Sequence, residues 1–314
     1  MESESLISVI IPFYNIGDYI KKTVQSLESQ TYKKFEVIFV NDGSTDRSLK
    51  ILKAELKEVT FDYKIIILPE NKGLSNARNR GVSSSKGEYI YFLDADDYLE
   101  NNAFEKVMEM FKAHNTDAVF FQFKRVDENG NVLKNYNESF KDVNKIESSR
   151  DILFKYINLE IFICSCSIVY RKKTINNLFF NEISYIEDQD FNIRALINSN
   201  KVGYINSQIF NYCQREGSLM NRKFNLNILD KIKLFDIFYQ EYEVKDKELS
   251  ELFLKRRAKE VLWITRAYIK EEKKIKAGEI KKYIEKNFPS LYVRIVQTSK
   301  INRKNLIRFK RSAM

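Results

Sequence analysis

Four short apolar runs, separated by three amphipathic stretches, fill the first hundred residues, and each run ends in a polar, turn-forming motif. "LISVIIPFYN" reads as a buried strand, and "DYIKKTVQSLESQ" places Tyr19, Ile20, Val24 and Leu27 on one helical face. "FEVIFVNDGS" is the second strand, followed by a helix in "TDRSLKILKAELKEV" with Leu49, Leu52, Leu56 and Val59 in register. "YKIIILPEN" is the third strand, "LSNARNRGVSSS" a helix closed by Gly87, and "EYIYFLD" the fourth strand. Such a βαβαβαβ order predicts a doubly wound, mostly parallel sheet, because parallel strands need a crossover and helices must cover both faces.

In sheets of that kind a ligand sits beyond the carboxyl ends of the strands, where their order reverses. The motifs "PFYN", "NDGSTD", "PENKG" and "DADD" all fall there. A dinucleotide fingerprint is excluded, since no G-x-G-x-x-G follows the first strand, and no G-x-x-x-x-G-K-[ST] occurs at all. Instead, "YIYFLDADDYLE" drives an apolar strand into Asp94, Asp96 and Asp97. Three acids in four residues repel one another unless a cation or a set of donors sits among them. Hard cations such as Mn²⁺ or Mg²⁺ take carboxylate oxygen and leave positions for water and phosphate.

Composition narrows the remainder. The 314 residues suit one large domain with an appendage. Cys164, Cys166 and Cys213 are odd in number and lack a paired metal spacing, which predicts reduced, buried thiols. The acidic start "MESESLISVIIPFYN" has neither a basic n-region nor the length of a membrane span, so a chain neither exported nor membrane-spanning is expected. Charge is uneven: residues 251–314 carry 19 Lys or Arg against 6 Asp or Glu, whereas the first 250 carry 34 against 37. A basic C-terminal quarter points to an anionic partner, either acidic lipid or nucleic acid, or to a solvated helical face.

"ISVIIPFYN", "FEVIFVNDGSTD", "NKGLSNARNRG", "YIYFLDADDYLE" and "YIEDQDF" together resemble the family 2 inverting glycosyltransferases of the GT-A fold, over roughly residues 6–218. The likeness is greatest to bacterial enzymes of capsule, exopolysaccharide and lipopolysaccharide assembly. It implies a nucleotide-sugar and catalytic domain over 1–221, with a basic helical region over 222–314. The implied activity is metal-dependent transfer of a hexose or N-acetylhexosamine from a UDP-sugar to a glycan acceptor, with a lipid-linked acceptor expected.

By the same resemblance Asp42 meets the uracil ring, Pro12 and Tyr14 wall the base, and Arg78 lies near the nucleotide. Asp94 is expected at the ribose or metal-bound water, Asp96 at the metal (Mn²⁺ or Mg²⁺), with Asp94 as a second ligand. Asp97 orients its neighbours and caps the following helix. Asp188 is the implied base and Glu187 its assistant, with Asp190 competing and a plain acidic helix start as the structural alternative. "NYCQREGSLMN" resembles a closing segment, in which Arg215 and Ser218 contact diphosphate. Relatives often place a histidine near there, whereas the single histidine of this chain is His114. Asn76 and Asn79 are expected as local hydrogen-bonders, and Trp263 as core.

The tail "SLYVRIVQTSKINRKNLIRFKRSAM" interleaves seven basic residues with apolar ones and suits an anionic membrane surface. Cytoplasmic residence, peripheral at the inner face of the membrane, is the resulting expectation; homo-oligomer formation stays open. A basic nucleic-acid-binding protein and an inactive scaffold of the same fold are the alternatives, and the first leaves the DADD cluster unexplained.

Overall fold

A computed structural model describes residues 5–136, 144–181, 186–214 and 230–272, with backbone alone at 262 and 264–272. Arg215, Ser218 and the basic tail lie outside the described residues. The chain divides into two compact units, Met1–Arg222 and Lys223–Met314.

In the first unit the elements are β1 (Ile7–Phe13), α1 (Ile20–Glu28), β2 (Phe35–Asn41), α2 (Ser48–Glu55), β3 (Asp62–Ile67), α3 (Leu74–Ser84), β4 (Tyr89–Phe92), β5 (Tyr98–Leu99), α4 (Ala103–His114), β6 (Ala118–Val126), β7 (Val132–Tyr136), β8 (Lys145–Ser148), α5 (Ser149–Asn158), β9 (Ile168–Arg171), α6 (Glu187–Ile197) and β10 (Lys201–Cys213). They form a mixed α/β fold on one sheet ordered β3-β2-β1-β4-β9-β6-β10-β5, with β7 added to β6 and β8 to β10. The first four strands pair in parallel. β9 then runs antiparallel to both β4 and β6, so β6 recovers the sense of β4, and β10 pairs with it in parallel.

β1 is buried along its whole length, as a central parallel strand covered on both faces must be. Pro12 determines where it releases β4. The Ile10 carbonyl accepts from Leu93 N, so Ile10, and with it Pro12 two residues on, turns its backbone groups toward β4. Pro12 has no N–H to continue that ladder, and pairing stops at Ile10 and Phe92. β4 therefore turns away directly into the acidic cluster.

Helix α3 is set by a close approach. A Cβ at Gly81 would lie 2.2 Å from Cγ2 of Ile10, a fully buried, β-branched side chain with little room to turn. Gly81→Ala should cost about 1–3 kcal/mol by overpacking, read as a lower urea midpoint at unchanged m. A loss below about 0.5 kcal/mol, the range of an indifferent surface change, would show that α3 is free to shift.

The second unit contains α7 (Asp230–Tyr242) and α8 (Lys247–Glu272), packed through Ile232, Phe235, Phe238, Leu249 and Phe253. Phe238 stacks on Phe253 with ring centroids 4.9 Å apart. Trp263 is half exposed, with Lys231 Nζ 5.6 Å from its ring centre, so it is not the core residue its helical position suggested. Among the described residues no helix is long and apolar enough to cross a membrane.

Candidate active site

The loops after β1, β2 and β3 lock together around one buried carboxylate. Asn15, in the left-handed region at φ 48°, accepts through Oδ1 from Thr45 N and Asp46 N, while Ser48 Oγ accepts from Ile16 N and Gly17 N. Gly43 has φ 69°, and a Cβ there would lie 2.5 Å from the backbone carbon of Glu70. Only glycine permits that contact. It brings Asp42, which is 3% exposed, against the β3–α3 turn, where its two oxygens accept from Lys72 N and Gly73 N at 2.8 Å each. Pro12 is buried beside this assembly and Tyr14 is exposed at the mouth of β1.

Arg78 joins the two acidic motifs. Its guanidinium is buried, with Nη2 3.0 Å from Asp94 Oδ1 and Nη1 3.3 Å from Glu187 Oε1. The plane also lies 5.1 Å from the centre of the Phe180 ring, which stacks on Phe191 of α6. Burial works against its charge, but Asp94 and Glu187 outweigh that and hold the group protonated. Asn79, one position further along α3, donates to the Phe180 carbonyl and accepts from Phe180 N, and Ser75 Oγ donates to the Asn181 carbonyl. The expectation that Asn79 bonds locally is thus corrected: its partner lies 101 residues away. α3 carries Arg78 and at the same time fixes the segment that leads into α6.

The α6 acids divide by environment. Asp190 is fully buried and is occupied by Arg194 Nε at 2.9 Å and by Asn181 Nδ2. Asp188 is half-buried, and burial, reinforced by the neighbouring Glu187 charge and opposed by Arg78, pushes its carboxyl up. A carboxyl raised toward neutrality can take a proton at physiological pH, whereas both oxygens of Asp190 are already engaged by Arg194 and Asn181.

Within the DADD cluster, Asp97 is 1% exposed and accepts through Oδ1 from Cys213 N at 2.8 Å. It ties down the end of β10. The expected helix cap falls instead to Asn102, which makes no side-chain capping bond. Cys166 sits behind the cluster, and ligand atoms of Asp94, Asp97 and Cys166 all lie within 4.8 Å of one another. The Cys166 thiol is pushed well up by burial and by Asp94, so it stays protonated and is a poor ligand for a hard cation. Asp94 and Asp96, both partly exposed, are the carboxylates that fit such a cation, with water and phosphate oxygens completing its shell. All three cysteines are free, and His114 is exposed at the end of α4.

The model of the family described as "Glycosyl transferase family 2" matches residues 8–178. "Glycosyltransferase GlyG" of Streptococcus pneumoniae serotype 4 is 31% identical over 229 residues, which cover 71% of this chain and 75% of that protein. The "Uncharacterized glycosyltransferase EpsJ" of Bacillus subtilis (strain 168) is 30% identical over 68% of this chain and 62% of its own length. The "Poly(ribitol-phosphate) beta-N-acetylglucosaminyltransferase TarS" of Staphylococcus aureus (strain Mu50) is 28% identical over 68% of this chain, but the match spans only 36% of TarS. The crystal structure of S. aureus TarS 1-349 in complex with UDP-GlcNAc superposes with a TM-score of 0.69, covering 88% of this chain and 78% of that one. At 23% identity that likeness establishes the fold.

Proposed function

The chain belongs to glycosyl transferase family 2, and we propose that it transfers a hexose or N-acetylhexosamine from a UDP-sugar to a hydroxyl of a glycan or lipid-linked glycan in bacterial surface polysaccharide assembly, by inverting displacement. The observation that carries this reading is the pairing of the Asp94 and Glu187–Asp188 motifs through one buried arginine, 3.0 and 3.3 Å from its two partners. A displacement needs a donor-side group and an acceptor-side base held at fixed separation, and Arg78 provides that brace. TarS, in complex with UDP-GlcNAc, supports the choice of donor.

Asp188 is the base that removes the proton from the acceptor hydroxyl as the glycosidic bond forms, and Glu187 steers the acceptor while anchored to Arg78. Asp190 suits that role less well, because its two oxygens are bonded to Arg194 and Asn181. Asp42 retains lone pairs beyond the two taken by Lys72 N and Gly73 N, and accepts the uracil imide N–H with one of them. Tyr14 and Pro12 flank the base. A divalent cation held by Asp94 and Asp96 would neutralise the charge developing on the leaving diphosphate. The nucleic-acid alternative rests on the basic tail, which lies outside the described residues, and it leaves the buried pairing of Arg78 with Asp94 and Glu187 unexplained.

UDP should raise the melting temperature in the presence of Mn²⁺, and much less so with EDTA, because a ligand bound only by the folded state stabilises it. Asp96→Ala should remove the Mn²⁺-dependent part, and GDP should give a smaller shift than UDP. Equal shifts with Mn²⁺ and EDTA would refute the metal assignment. Equal shifts for GDP and UDP would refute the role given to Asp42.

A further inference from the structure

We propose that Phe162, braced by Tyr136, is the platform on which the acceptor sugar stacks. This rests on the transferase reading and identifies the second substrate's subsite. Ile161 and Ile163 are both buried, at 3% and 1% exposure, while Phe162 between them is 42% exposed. The alternating burial along this short segment leaves the ring facing outward, and its neighbours then fix its plane. The Tyr136 ring lies 5.3 Å from it and the Phe123 ring 5.8 Å, with Phe123 and Tyr136 themselves stacked at 4.5 Å. Such a ring needs no ordering when a ligand arrives.

Three observations place this surface beside the acceptor-side base. Phe123 lies toward the carboxyl end of β6, which runs in the same sense as β1 and β4, so the aromatic group shares the sheet edge that bears the acidic cluster. The Ile163 carbonyl accepts from Asn192 Nδ2 at 3.3 Å. Asn192 stands one helical turn, about 6 Å, beyond Asp188 on α6, on the same face. Two residues after Phe162, the Cys164 thiol is pushed up to about 12 chiefly by burial, with the Asp188 carboxylate among the charges adding to it.

The chemistry of the surface selects its occupant. The face of an aromatic ring carries partial negative charge and attracts the partly positive axial C–H groups of a pyranose. Glu187 and Asp188 stand ready for the hydroxyls at the rim. The donor's diphosphate would be held by the cation that Asp94 and Asp96 coordinate. A pyranose acceptor therefore bridges an apolar floor and a carboxylate wall.

Binding is tested on the full chain with UDP and Mn²⁺, using methyl β-D-glucopyranoside, methyl β-D-galactopyranoside and methyl N-acetyl-β-D-glucosaminide as probes, and acceptor KM is read by turnover of the same glycosides with UDP replaced by a UDP-sugar that the wild type uses as donor. Saturating the protein's aromatic protons should transfer magnetisation to the axial ring protons of at least one glycoside. Phe162→Leu should abolish that signal and raise the acceptor KM by about three- to tenfold, the size of one aromatic contact, while the UDP-induced melting shift is retained. Phe162→Tyr should keep the signal. Should Phe162→Leu fail to fold, Tyr136→Leu serves as the second variant, and an acceptor KM raised in the same way is expected. No aromatic-to-glycoside transfer in the wild type, or an unchanged acceptor KM in both leucine variants, overturns the proposal. Failure of the wild type to bind UDP would instead bring down the transferase reading on which the subsite depends.

Discussion

Asp188→Asn should lower transfer by about 10²- to 10⁴-fold, the range associated with loss of a general base, and leave UDP affinity unchanged. The amide keeps the shape of the carboxylate and removes its capacity to accept a proton. Steady-state transfer, together with calorimetric titration of UDP, separates the two effects. The pH dependence supplies an independent check. Burial, with the Glu187 charge adding and Arg78 opposing, pushes the Asp188 carboxyl up to about 7. kcat/KM should therefore climb as pH rises through that region, with the acid limb missing from the residual activity of the variant.

The same shift has an opposite consequence for stability. The unfolded chain releases this proton near about pH 3.9, the folded chain only near 7, so between those values the native state holds a proton that the unfolded state has lost. Stability from this group is full below about pH 4 and is lost as pH rises through 7. Asp188→Asn carries no such cost and should melt above the wild type at pH 8, with the difference closing toward pH 4. Transfer retained in Asp188→Asn but lost in a folded Asp190→Asn would move the base two residues along the helix.

Most of the nucleotide half of the sheet was legible because β1, β2 and β4 are buried on both faces and appear as apolar runs regardless of what they touch, while β3, an exposed edge strand, was legible only through its Ile65–Ile67 run. β9, which runs antiparallel to both β4 and β6, left no such mark, because the sense of a strand is set by the neighbours it pairs with and not by its own residues. The acidic positions were legible as chemistry because like charges at a strand end are costly without a partner. Their partners were not. Arg78 finds Glu187 across 109 residues, and Asp97 finds Cys213 N across 116. Local spacing carries no trace of contacts made only when separate crossovers meet. Phe162 is hidden for the same reason: "IFICSCS" reads as a plain apolar run, and only the inward turn of both isoleucines reveals which residue is left outside.

Arg78→Met should destabilise the folded protein by about 3 kcal/mol, near the lower end of the cost of removing one partner from a buried ion pair. The lower end applies because Asp94 keeps 30% of its side-chain surface exposed and Glu187 15%, so water partly replaces the lost cation. At about 2–4 °C per kcal/mol for a unit of this size, the melting temperature should fall by roughly 6–12 °C. Arg78→Lys should recover little, since a single ammonium cannot hold two carboxylates in the geometry of a planar fork. Adding Glu187→Gln to Arg78→Met should restore part of the loss, because it removes a carboxylate that has become unpaired, and the double-mutant cycle then measures the coupling directly. Loss of the guanidinium also removes the largest influence favouring the charged form of Asp188, so at a temperature where the variant stays folded the acid limb of kcat/KM should move to higher pH. A variant that melts like the wild type and keeps its pH profile would mean that the arginine does not hold the two acidic motifs together.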